Sequence, residues 1–149
     1  MNDPGNPGRT YVSGKGLSYP FKLDEPFASQ LAGVIKESNA QVEAMCAKVN
    51  EILDGIKAGF SLDFEWIKNE LTTGLIRERH LAKALRLKAY EYCRNNPLDL
   101  RMLFHKLFAG RELKSELNDF AGVENEIRAN LLKAGGGAFV PEDPKAFLS

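Results

Sequence analysis

The sequence predicts a mainly α domain of about five helices, one of them long and N-terminal, with irregular Gly/Pro-rich ends and a short strand near the C-terminus. Three observations predict it. Pro4, Pro7, Pro20 and Pro26 crowd the start and Pro141 and Pro144 the finish, leaving only Pro97 between them, so the middle is free to be helical. Apolar residues there recur at three- and four-residue intervals, the repeat of a helix face. No period of roughly 20 to 50 residues repeats, which argues against a solenoid.

In order, residues 1–23 read as a Gly/Pro-rich loop segment, with a short extended piece at 11–13. Residues 24–134 read as the helical domain and 135–149 as a Gly-rich hinge, short strand and tail. Asp24 as N-cap and Pro26 in the first turn mark a helix start. Leu31, Ile35, Ser38, Val42, Met45, Val49, Ile52 and Ile56 then form a heptad-like seam, predicting one long helix to about Ala58, closed by Gly59. Such a seam packs on neighbouring helices; an intermolecular coiled coil, and with it a homo-oligomer, is the alternative. Ser61 is placed to cap a second helix carrying Leu62, Trp66, Ile67 and Leu71, ended by Thr72, Thr73 and Gly74. A third is expected over about 75–94, broken by Asn95 and Asn96. Pro97 opens a fourth over 98–109, whose many apolar residues imply a central position. A last helical stretch over 113–133, interruptible at Gly122, stops at Gly135, Gly136 and Gly137, and residues 138–140 read as the short strand.

The chain has 149 residues, 44% of them apolar, enough for one core without disulfides or metal. Twenty Lys and Arg balance twenty Asp and Glu, which removes the usual electrostatic reason to expect nucleic acid or an anionic membrane as partner. Two histidines are too few for a self-contained multi-His metal site. Cys46 and Cys93, in a chain whose start does not read as a signal peptide, are expected as thiols in a reducing, cytoplasmic compartment. No apolar run approaches the roughly 20 residues of a membrane-spanning helix.

No Walker loop, dinucleotide fingerprint, CxxC pair or HExxH helix occurs. The triple glycine follows a helix instead of preceding one, so it reads as a C-cap and hinge and not as a phosphate cradle. Charge is uneven: residues 77–114 hold ten basic and four acidic residues, a net +6. Solvated helix faces explain such a swing, and an anionic ligand such as a phosphate would favour it. The short helix, turn and longer helix from Ser61 to Tyr90 imitate a helix-turn-helix, against which stand the neutral chain and Leu75, Ile76 and Leu81 where base-reading side chains would sit. His105 reads as a satisfied core residue beside Met102 and Phe108. His80 differs, because Arg77 and Arg79 lie within one turn of it and should depress its pKa, leaving a neutral imidazole beside guanidinium donors.

The run Leu75-Ile76-Arg77-Glu78-Arg79-His80-Leu81-Ala82-Lys83-Ala84-Leu85 resembles the Arg-x-His-(Ile/Leu)-Ala-(Arg/Lys)-Ala-Leu signature in the helical insertion of PHP-family (polymerase and histidinol phosphatase) phosphoesterases. Residues 131–141, with Gly135-Gly136-Gly137-Ala138-Phe139-Val140-Pro141, are similar to the Gly-rich step that leads from that insertion back to the barrel, and residues 2–11 look like a loop of larger members. The resemblance implies a seven-stranded barrel hydrolase whose divalent metals (Mn, Zn or Fe) activate water against a phosphoester. It also implies that this chain carries no cofactor itself, because the family's His-x-His and later metal-ligand motifs do not occur here. On this reading the chain is the excised helical insertion or a truncated reading frame, a substrate-capping segment inactive by itself.

Its partner would be a phosphorylated small molecule or nucleotide, met by His80, Arg77 and Arg79, with Arg9 and Lys15 as further anion contacts. The resemblance departs at Glu78, where the family carries arginine, so neither flanking arginine alone inherits the phosphate contact. Two other classes compete: a helical protein-interaction module working through the 31–56 seam, and a helix-turn-helix DNA-binding protein.

Overall fold

The computed structural model describes residues 22–143 and 145. Among these the protein is helical throughout: α1 (Phe27–Gly55), α2 (Phe64–Leu71), α3 (Glu78–Tyr92), α4 (Pro97–Leu107) and α5 (Phe120–Ile127), the last running directly into a π-helical turn, Arg128–Leu132. No described helix is long and apolar enough to cross a membrane.

The hub is α3, which packs on α1, α2, α4, α5 and the π turn. Its inward face supplies Leu81, Ala82, Ala84, Leu85 and Ala89, all essentially inaccessible to solvent. Alanine at three of these positions lets neighbouring helices approach closely, while leucine fills the gaps between them. Around it pack Val49 and Leu53 of α1, Ile67 of α2, Leu100 and Phe104 of α4, and Val123 and Ile127 of α5. The fully buried Phe104 and Phe108 rings pack with centroids 5.6 Å apart and planes tilted by 33°.

Local chemistry explains where each helix starts and stops. The first begins at Phe27 behind Pro26, with no side-chain cap; Asp24 is not the N-cap. It ends at Gly55, three residues before the expected close, because Lys57 turns left-handed at φ 55° and Gly59 follows at φ 85°. Glycine suits that left-handed backbone, and a side chain at Gly59 would also have to displace the Tyr92 ring. Asp63, not Ser61, caps α2 by accepting the Trp66 N–H at 3.1 Å. Asn96 accepts the Leu98 and Asp99 N–H groups ahead of Pro97 at the start of α4, the usual division of labour between an N-cap and an N1 proline.

Three expectations are corrected. The helix read over 113–133 forms only from Phe120, because Lys114 and Ser115 turn their amides to the Glu126 carboxylate, at 2.9 and 2.6 Å, instead of up a helix ladder. No strand forms at 138–140: Ala138 N–H closes the π turn by donating to Leu131 O at 2.9 Å. The carbonyls of Phe139 and Val140 accept from the side chains of Lys48 and Gln41, instead of from the backbone of a paired strand. The fourth helix is not central, since it buries Leu100, Leu103, Phe104 and Leu107 yet leaves Leu98 and Met102 more than half exposed.

Candidate functional site

The cationic start of α3 is built by a loop, a cap and an ion pair. The loop between α2 and α3 is held from α1: the Asn39 amide donates to Gly74 O and accepts the Ile76 N–H, both at 3.1 Å. This sets Ile76 into the core and brings Arg77 out beside α1. Arg77 is the N-cap of α3, with extended backbone. Its carbonyl accepts the His80 N–H at 2.9 Å, and its own N–H donates to His80 Nδ1 at 2.8 Å.

That second bond determines the imidazole's state. A backbone N–H can only donate, so Nδ1 must accept, and the remaining proton sits on Nε2. Burial of the ring lowers the His80 pKa, and Arg79, Lys83 and Arg77 lower it further. The expected neutral imidazole is thus favoured, with burial, not any one of the cations, as its largest single cause. His80 also has a plain structural task, returning to the N-cap amide as the third residue of a capping box does.

Glu78 pairs with Arg128 of the π turn, whose Nη2 and Nε lie 2.9 and 3.2 Å from one carboxylate oxygen. The start of α3 is thereby tied to the end of α5, and the Glu78 carboxylate is occupied. Arg77 and Arg79 are exposed and His80 half-buried, within one helical turn. Arg9 and Lys15 fall outside the described residues.

Much of the remaining positive charge in 77–114 is structural. Arg86 is buried, its Nε 2.7 Å from Glu124 and its guanidinium 4.4 Å above the Phe120 ring, a stacked geometry lysine could not reproduce. Lys88 lies 3.5 Å from Glu91 and 5.4 Å from the Trp66 ring. Arg101 donates to Leu113 O at 3.1 Å and Arg111 to Asn130 at 3.2 Å. The exposed remainder near α3's start is Arg77, Arg79 and Lys83.

Arg77 also borders a groove of ≈ 310 Å³ on the described surface, lined by Leu31, Val34, Ile35, Ser38, Leu75 and Glu142. Its floor is the N-terminal half of the seam on α1. Val42, Met45 and Val49 of that seam are buried, whereas Leu31, Val34 and Ile35 remain 45%, 41% and 36% exposed. The seam is therefore covered over its C-terminal part only, a division that periodicity alone does not show.

Other candidates look structural. His105 is half exposed, not a core residue, with Nδ1 2.8 Å from a Glu112 oxygen. Both cysteines are free thiols. Burial, with Asp63 and Glu43 adding to it, pushes Cys46 up to about 11, and burial with Asp99 raises Cys93, the reverse of an activated nucleophile. Among the described residues no three His, Cys, Asp or Glu side chains group as a cation site. Asn39 and Asn50, which hold the architecture around α1, were missed in the sequence; their signal was a polar side chain alongside an otherwise apolar helix seam.

No protein-family model matches the chain, and no curated protein or solved structure matches it either.

Proposed function

We propose that this chain is the substrate-capping helical segment of a PHP-type phosphoesterase, inactive by itself, which turns Arg77, Arg79 and His80 toward a phosphorylated small molecule or nucleotide and seats on the rest of such an enzyme through the open half of α1. The observation that carries this reading is the shared position of Arg77: it caps the helix that bears Arg79 and His80, and it borders the apolar groove over Leu31, Val34 and Ile35. A cationic edge beside an uncovered apolar face suits a lid, which must touch both an anionic substrate and the body it closes on. His80, with its proton on Nε2, would offer a neutral donor and the arginines charged ones, a combination that binds phosphate oxygens. On this reading Mn, Zn or Fe belongs to the enzyme's barrel, as the resemblance implies, and no step through a metal is derived for this chain.

The test is a titration of the chain with inorganic phosphate, followed by amide NMR. Shifts confined to residues 77–83, abolished in the Arg77→Ala/Arg79→Ala double variant, are expected, together with no phosphoester turnover on adding manganese. Absence of those shifts, or turnover by the chain alone, would overturn the reading.

The exposure of Leu31, Val34 and Ile35 also favours a second reading, a helical protein-interaction module. It predicts partner binding that is lost in Leu31→Glu and unaffected in Arg79→Ala, with no response to phosphate. The helix-turn-helix reading gains nothing from α3, because Ile76 and Leu81 at its start are buried in the core.

A further inference from the structure

We draw no further inference here: the strongest candidate, the apolar edge of α4 formed by the exposed Leu98 and Met102, is an unpartnered face and nothing in the structure shows what covers it.

Discussion

The first helix is one continuous rod of 29 residues, about 43 Å long at 1.5 Å per residue, yet its two halves live in different environments. Val42, Met45, Cys46, Val49 and Leu53 are buried in the core, while Phe27, Leu31, Val34 and Ile35 carry the same stripe into solvent. The covered half is also pinned by polar side chains: Asn50 to Leu62, Lys48 to Phe139 and Gln41 to Val140. Among the described residues, the open half is tied in at its junction by Asn39. An isolated helix of a dozen residues is marginal in water, so the open half takes its order from the ladder that continues into the packed half. An apolar stripe thus shows which face of a helix favours burial, and only packing shows whether the chain itself supplies the cover.

The contrast predicts a gradient of mutational effects along one helix. Leu53→Ala, at a position 1% exposed, should cost about 2–5 kcal/mol, the range for deleting a buried leucine side chain, read as a fall in the urea midpoint with unchanged slope. A loss below about 1 kcal/mol would mean that the C-terminal half is not packed as described. The polar pins come next. Asn50 accepts the Leu62 N–H at 2.7 Å and donates to Leu62 O at 2.9 Å, so Asn50→Ala should strand two backbone groups and cost about 1–3 kcal/mol. Asn50→Asp keeps the acceptor and loses the donor, and should fall between wild type and Asn50→Ala in a thermal melt.

The same contrast explains what could be read beforehand. Five helices and the long first one followed from the apolar spacing and from Pro97 with Asn96, because these signals act over a few residues. The extent of the last helix did not, since it depends on Glu126, which reaches eleven or twelve residues back to the amides of Ser115 and Lys114. The absent strand at 138–140 depends likewise on Lys48 and Gln41, more than ninety residues earlier. For the candidate site, His80 and its flanking arginines were legible as a cationic cluster with a neutral imidazole. The Glu78–Arg128 pair and the groove beside Arg77 were not, because each is made by the approach of separate elements; the Arg77–His80 cap is local, but histidine is not one of the side chains that ordinarily close a capping box.

At the junction of the two halves, the cap gives a smaller and pH-dependent effect. His80→Ala should cost about 0.5–1 kcal/mol as a lost capping interaction, with His80→Gln recovering part of it. The folded protein holds the His80 pKa below its ordinary value of 6.5, so below that pH the unfolded chain binds more protons than the folded one. The contribution is therefore present above pH 6.5 and fades as pH falls toward the depressed folded value. Denaturation midpoints of wild type should drop across that acidic window more steeply than those of His80→Gln. Parallel curves would mean that the Arg77 amide does not depend on an unprotonated Nδ1.

The smallest expected effect is the sharpest test of the contrast. Leu31→Ala removes an apolar side chain of the same type as Leu53, on the same helix, but one already 45% exposed. Alanine is the better helix former, so the change in stability should stay within about 0.5 kcal/mol. A loss of 1 kcal/mol or more would show that another surface covers the groove in solution. Repeating the melt over a hundredfold range of protein concentration then identifies that surface, because a second copy makes stability rise with concentration and an intramolecular cover does not. If Leu31→Ala is silent and concentration has no effect, the apolar floor beside Arg77 is open in the isolated chain, as docking on a separate body requires.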